Sequence, residues 1–123
     1  MNTLLFRAAA SLCFLAVALG AFGAHALKAT LQTNGMVGVW DKAVLYHFVH
    51  AIVLLALALH PDVVSRAVSY FFFSGIILFS GSLYLLALTN FRSLGAVTPI
   101  GGLCFLIGWA WLVFAPMRSG APL

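Results

Sequence analysis

Charged side chains are scarce in this chain: they make up 7% of its 123 residues, against about 25% in an ordinary soluble domain. Four long stretches contain no Asp, Glu, Lys or Arg, and every basic residue lies between two stretches or just outside one. The stretches are residues 8–27, 43–61, 67–91 and 93–117. Because the six basic residues form no cluster, a nucleic-acid-binding patch is excluded.

Acidic residues are rarer still, since Asp41 and Asp62 are the only two and both lie outside the uncharged stretches. A proton-coupled cation exporter of this size needs a carboxylate within the membrane, and carboxylate-based hydrolysis needs such groups as acid and base. Both functions are therefore excluded. The Ser and Thr residues of the stretches have no triad-like partners, so hydrogen bonding between helices explains them better.

Cysteine is limited to Cys13 and Cys104, which stand singly within two of the uncharged stretches. Neither belongs to a CxxC or Cys/His tract of the kind that binds metal or forms disulfides. Buried single cysteines usually pack as small apolar residues. We therefore expect neither a disulfide nor a metal-binding role for them.

Apolar side chains, in contrast, make up 64% of the residues. A small soluble domain cannot bury that much apolar surface, whereas a lipid bilayer solvates it. Crossing a hydrocarbon layer about 30 Å thick takes roughly 20 helical residues. The sequence therefore predicts an all-α fold, a bundle of four transmembrane helices, as one integral membrane domain over residues 1–123. The predicted spans are residues 4–27, 40–59, 66–88 and 94–114.

The first span also resembles a secretory signal, because Arg7 precedes an apolar stretch and Ala24-His25-Ala26 resembles a small-residue cleavage site. The uncharged run over residues 8–27 is longer than the usual apolar region of a signal peptide, which is about 7–15 residues. We favour an uncleaved anchor; cleavage would leave three spans.

The orientation of four spans is poorly determined by charge, because three basic residues fall on each face. A short N-terminal segment carrying Arg7 favours both termini in the cytoplasm. The two sets are Arg7, Arg66 and Arg118 on one face and Lys28, Lys42 and Arg92 on the other.

Polar and helix-breaking residues mark the connections. Residues 28–42 are predicted to form a short surface helix and a glycine-containing turn, with Trp40 as an aromatic anchor at the membrane interface. Ser65 is predicted to cap the third span. The fourth span either starts at Pro99, capped by Thr98, or starts sooner and kinks there. We favour the kink, because a start at Pro99 leaves a short span.

Small residues recur at helical spacing in the first and third spans. Such stripes let a neighbouring helix approach closely, which matters in lipid because apolar burial alone does not drive helices together. The predicted packing residues are Ala16, Gly20, Gly23 and Ala24 in the first span and Gly75, Gly81 and Ser82 in the third.

Histidines within the predicted spans are the main candidates for chemistry. His47 and His50 share a helical face with Tyr46 beside them. His25 lies near the end of the first span, on the same side of the membrane. Counting 1.5 Å of rise per residue places His25 about 5 Å deep and the other two histidines about 8–12 Å deep. If the first two spans pack together, these four residues define a candidate polar pocket.

The pocket has a functional and a structural interpretation. An ionisable group inside a span is a functional candidate by default, for a metal, a haem, a proton or a quinone. Alternatively, neutral imidazoles hydrogen-bond to carbonyls or to Tyr46 and hold two helices in register. We favour the structural interpretation. A metal site would need further ligands, and no carboxylate or thiolate within a span completes its coordination shell. A haem would need two axial ligands that face each other at similar depth.

Four blocks of sequence occur in this order: Gly20-Ala-Phe-Gly-Ala-His25-Ala-Leu27, Tyr46 with His50, Phe79-Ser-Gly-Ser-Leu-Tyr84, and Val97-Thr-Pro-x-Gly-Gly102 followed by Gly108-Trp109. Together they resemble the domain-of-unknown-function 423 family of small multi-span proteins of bacterial inner membranes, which is also related to a eukaryotic transmembrane protein. The resemblance covers nearly the whole chain, implies the same architecture and brings no established activity. The family pattern has Gln where this chain has His47, which weakens a metal pair with His50. The family's residue pattern carries over to His25, Tyr46, His50, Gly81, Tyr84, Pro99 and Gly102.

These features together predict a non-enzymatic multi-pass protein of the bacterial inner membrane without a cofactor. We expect it to contact the lipid bilayer and other membrane protein subunits, as an accessory subunit or assembly factor. The aromatic run 70–73 and the outer face of the fourth span would meet lipid or a partner. The alternative is a binder or carrier of a small amphipathic molecule (lipid, quinone or weak base) through a His25/His47/His50 pocket. A redox or metal-handling enzyme is a third possibility.

Overall fold

A computed structural model describes residues 1–117 of the chain, and every regular element among them is helical. Arg118, one of the six basic residues counted above, lies outside the described residues. The elements are α1 (Thr3–Ala24), α2 (Lys28–Asn34), α3 (Val37–Leu59), α4 (Arg66–Gly75), a π-helical segment (Ile76–Ser80), α5 (Gly81–Thr89), a 3-10 helix (Arg92–Ala96) and α6 (Thr98–Phe114).

Four of these helical stretches are long and apolar enough to cross a membrane, which confirms the predicted all-α bundle of four transmembrane helices. The third span is continuous from α4 through the π segment to α5, and the fourth joins the 3-10 helix to α6. The observed ends differ from the predicted ones by up to three residues. Helix α1 ends at Ala24 rather than Leu27, because the chain turns at His25 to enter α2.

The connections follow the local sequence signals in most places. Helix α2 is the predicted short surface helix, and Gly35 ends it with a positive φ of 66°, which a residue without a Cβ adopts at no cost. The Ser65 hydroxyl accepts a hydrogen bond from the Ala67 amide at 3.2 Å and so caps α4 as predicted.

The fourth span begins before Pro99, at Arg92, as the favoured alternative expected. Residues Arg92–Ala96 wind as a 3-10 helix, and α6 begins at Thr98 with Pro99 in its first turn, where the missing amide proton is no loss. Where the kink was expected, the chain changes from a 3-10 helix to an α-helix. Thr98 is not a cap, because its hydroxyl hydrogen-bonds to the Ser82 hydroxyl at 2.6 Å.

The spans pack as an open bundle in which α3 and the third span are central. Helix α1 packs along α3, α3 packs on the third span, and α6 packs on the third span from another side. One end of the bundle is tied by the Asn2 amide, which donates to the Ala58 carbonyl at 2.9 Å. Within residues 1–117, α1 makes no extended contact with α4, and α3 and α6 meet mainly through side chains. Two lateral clefts result.

The small-residue stripe of α1 forms part of its contact with α3. Ala16 is fully buried, and a Cβ at Gly20 would touch Val44 at 3.4 Å. A Cβ at Gly23 would lie 2.2 Å from the Trp40 indole nitrogen, so only glycine fits there. The prediction of Ala24 as a packing residue was wrong, because the helix ends at Ala24 and the residue is exposed.

The third-span stripe is also split by the structure. Gly75 lies against the Phe105 ring of α6, where a Cβ would come within 2.4 Å of that ring, and Ser82 is buried. The prediction of Gly81 as a packing residue was wrong, because a Cβ there would meet nothing within 4 Å. In the aromatic run, Tyr70 and Phe73 face outward as expected, whereas Phe72 is fully buried.

Trp40 is not an interfacial anchor. Its side chain is 1% exposed, and its indole N–H donates to the Leu19 carbonyl of α1 at 2.9 Å. It packs with Leu31 and Tyr84, whose ring centroid is 4.8 Å away. The prediction failed because the neighbouring charges at 41–42 suggested the membrane surface, whereas α2 folds back over the start of α3 and covers the indole.

Candidate functional site

His50 lies at the contact between α3 and α6 and uses both of its ring nitrogens. Nδ1 is 2.7 Å from the Tyr46 carbonyl, and Nε2 is 3.0 Å from the indole nitrogen of Trp109. A carbonyl only accepts and an indole N–H only donates, so Nδ1 carries the proton and Nε2 accepts. The imidazole is therefore neutral, in one defined tautomer.

Aromatic side chains fix the plane of the His50 ring. Phe105 stacks on it with centroids 3.7 Å apart and planes 11° from parallel. Phe72 and Trp109 approach its edges at centroid distances of 5.5 and 5.9 Å. With the ring held and both nitrogens engaged, His50 fastens α3 to α6 and offers no free lone pair to a metal.

A lateral groove of about 620 Å³ opens beside this contact, between α3 and α6. Its wall is almost entirely apolar, and Tyr46 and His50 supply its polar groups. Both helices contribute residues from their middle turns, so the groove lies at the depth of the hydrocarbon core. The lining residues are Tyr46, His50, Phe79, Pro99, Gly102, Leu103, Phe105, Leu106 and Trp109.

The π-helical segment shapes the floor of the groove. Each π turn contains an extra residue, and such segments occur mostly as short insertions in α-helices, often at functional sites. Here the segment places Phe79 under the groove, with its ring 4.7 Å from Tyr46 and 5.6 Å from Phe105. Gly101 of α6 lies directly on the segment, because a Cβ there would be 2.2 Å from the Phe79 backbone nitrogen.

His47 points away from the groove, toward α1 and α5. Its Nδ1 hydrogen-bonds to the Tyr84 hydroxyl at 2.8 Å, and its buried Nε2 has no hydrogen-bond partner within residues 1–117. Three helical residues span about 300°, so His47 and His50 are offset by about 60° around α3. That offset sends the two rings into different contacts, and the predicted shared pocket was wrong in joining them.

His25 lies outside both contacts. It is exposed at the C-terminal end of α1, where its backbone amide donates to the Phe22 carbonyl at 3.3 Å. Of the four predicted pocket residues, the structure brings together only Tyr46 and His50. No group of three or more metal-binding side chains occurs in the part of the chain that the structure describes.

The sequence profile of the family described as "protein of unknown function (DUF423)" matches residues 19–102, about two thirds of the chain. The protein belongs to the DUF423 family. Tyr46, His50, Phe79 and Pro99 lie inside the matched residues, whereas Phe105 and Trp109 follow them. The DUF423 match therefore covers one wall and the floor of the groove and the start of the α6 wall.

Curated relatives extend the DUF423 assignment to most of the chain. A UPF0382 membrane protein of Staphylococcus epidermidis is 47% identical over 107 residues, which are 85% of this chain and 87% of the relative. The UPF0382 membrane protein YwdK of Bacillus subtilis is 42% identical over 109 residues, 85% of this chain and 88% of the relative. A further one from Staphylococcus haemolyticus is 42% identical over 118 residues, 93% of this chain and 96% of the relative. No solved structure matches the chain.

Phe105 and Trp109 are among the groove residues that were not predicted as site residues from the sequence. Trp109 entered the sequence analysis only through the Gly108-Trp109 block of the family resemblance. Its spacing offered one signal: Phe105 and Trp109 are four apart and so share one face of α6, as Tyr46 and His50 share one of α3. Pairing those two faces required knowing that the helices meet, which a single sequence does not show.

Proposed function

We propose that this DUF423 protein is a non-enzymatic multi-pass protein of the bacterial inner membrane that binds the hydrophobic part of a lipid or quinone in the α3–α6 groove. The observation that carries the proposal is the groove itself, a cavity of about 620 Å³ with an aromatic wall at mid-membrane depth. Ligand sites are typically concave and mostly apolar, with a few fixed polar groups.

The chemistry of the wall favours an acyl or isoprenoid chain over a weak base. None of the described residues that line the groove is acidic, so a cationic amine would lack a counter-charge. Both nitrogens of His50 are already hydrogen-bonded, which leaves the Tyr46 phenol as the polar group able to meet a quinone or ester oxygen. This arrangement suits binding rather than catalysis, because the imidazole is not free to accept a proton.

The proposal is tested by filling the groove. A Cβ at Gly102 would point toward Phe79 at 3.8 Å, so Gly102→Leu places a branched side chain in the cavity. In detergent, an isoprenoid quinone or a phospholipid should raise the melting temperature of the wild type by several degrees and raise that of Gly102→Leu much less. The matched control is Ala110→Leu, which introduces the same side chain on an exposed part of α6 outside the groove. An equal rise in wild type and Gly102→Leu, or none in the wild type, contradicts the proposal.

An accessory subunit or assembly factor is the second candidate, and the exposure of α1 favours it. Only 11% of the residues in the most apolar 18-residue stretch of α1 are buried within the bundle, whereas 39% are buried in the corresponding stretch of the third span. Phe14, Val17 and Phe22 are among its exposed side chains. Another membrane protein could pack along this face. Native mass measurement after mild solubilisation should then show a larger assembly, and a clean monomer would count against this role.

A further inference from the structure

A second cavity, of about 760 Å³, lies in the cleft between α1 and α4 and shares no lining residue with the groove. Helices α1 and α4 both begin there and α3 ends there, so the cavity opens at one membrane surface. It is more polar than the groove: Asn2, Thr3, Asp62, Arg66 and Ser69 line its outer part.

The deeper part of this cavity is apolar. Leu4, Ala8 and Phe73 line it, and they follow one another into the membrane along α1 and α4. A polar mouth above an apolar cleft between two helices is complementary to a molecule with a polar head and a hydrocarbon tail. Neither the sequence patterns nor the DUF423 relatives point to this site.

The charged side chains at the mouth of the cavity determine which lipid headgroup it can bind. Arg66 and Asp62 are both exposed, both line the cavity, and they form no ion pair with each other. An arginine guanidinium binds a phosphate through two parallel hydrogen bonds, and a carboxylate binds an ammonium group. One cation and one anion together match a zwitterion, whereas a purely anionic head would face the Asp62 carboxylate.

We propose that the α1–α4 cavity binds one phospholipid with a primary-amine headgroup, of the phosphatidylethanolamine class. Arg66 holds the phosphate, Asp62 holds the ammonium group, and an acyl chain descends between α1 and α4 along Leu4 and Phe73. This site is separate from the α3–α6 groove and does not depend on the function proposed for that groove.

The experiment is native mass spectrometry of the detergent-purified protein with phosphatidylethanolamine and phosphatidylglycerol added in equal amounts. The wild type should retain one phosphatidylethanolamine in preference to phosphatidylglycerol. Arg66→Gln should lower that retention by about tenfold, because the phosphate loses its bidentate charged partner. The matched control is Arg7→Gln, which removes the same charge near the same membrane surface from a residue that does not line the cavity.

Asp62→Asn separates recognition of the amine from general lipid binding. It should reverse the preference toward phosphatidylglycerol while keeping one lipid bound. Should Arg66→Gln fail to fold, Ser69→Leu narrows the cavity without removing a charge and must lower retention by itself.

Three results would overturn the proposal. They are a wild type that retains no lipid or prefers phosphatidylglycerol, an Arg7→Gln protein that loses as much phosphatidylethanolamine as Arg66→Gln, and an unchanged preference in Asp62→Asn.

Discussion

At the scale of single residues, the buried polar side chains mainly join helices. Ser80 donates to the Ala43 carbonyl at 2.8 Å, the Trp40 indole donates to α1, and His50 bridges to α6. In lipid such bonds matter because helices gain little from apolar burial against one another. The polar content of the spans is therefore explained first by assembly of the bundle, and within residues 1–117 the buried Nε2 of His47 is an exception that makes no hydrogen bond.

The bond between Trp109 and His50 can be measured by removing one donor. Trp109→Phe keeps an aromatic ring but leaves Nε2 of His50 without its partner, and we expect a loss of about 1 kcal/mol of stability. The measurement is reversible unfolding in mixed micelles. Trp111→Phe is the matched control, because Trp111 packs on Phe71 and its indole makes no hydrogen bond within residues 1–117. Equal losses in both variants would show that the bond adds nothing.

The residue scale also shows where sequence reasoning stopped. The sequence predicted Tyr46 and His50, which lie together in the groove wall, as site residues, because an imidazole inside an apolar run is unusual. It could not separate them from His47 and His25, since helical spacing alone does not say which neighbouring helix each side chain faces. The partners Phe105 and Trp109 come from a span 55 or more residues away along the chain.

At the scale of helices, the uncharged runs predicted the spans well because the thickness of the bilayer sets their length. The short surface helix and the Ser65 cap followed from local chemistry in the same way. Local chemistry did not predict the π segment, the 3-10 helix or the burial of Trp40, because each depends on contacts between elements that are distant along the chain. Gly101 against the π segment is the clearest of these contacts.

Two adjacent glycines of α6 test that contact. A Cβ at Gly101 would lie 2.2 Å from the Phe79 nitrogen and 2.7 Å from the Leu78 carbonyl carbon, both backbone atoms that cannot move alone. Gly101→Ala should therefore destabilise the bundle by about 1–3 kcal/mol, as overpacking does. Gly102→Ala, with its nearest contact at 3.8 Å, should be neutral or slightly stabilising because alanine favours helix. The unfolding experiment used for Trp109 measures both, and a Gly101→Ala protein as stable as Gly102→Ala would contradict the packing.

At the scale of the whole molecule, the bundle is open rather than closed, and both candidate binding sites arise from that. Because α1 contacts mainly α3 and α6 contacts mainly the third span, a cleft remains on each side of the central pair. One cleft is apolar at mid-membrane depth, and the other has a polar mouth at the membrane surface above an apolar deeper part. The depth assigned to each site depends on the four spans crossing the bilayer.

The most direct test of that claim is the side of the membrane on which each loop lies. His60 ends α3 and Thr33 lies in α2, and both are exposed at opposite ends of the bundle. With Cys13 and Cys104 replaced by Ala, His60→Cys and Thr33→Cys should be labelled by an impermeant maleimide from opposite sides of sealed vesicles. Labelling of both from the same side would contradict the four-span bundle and the placement of both clefts.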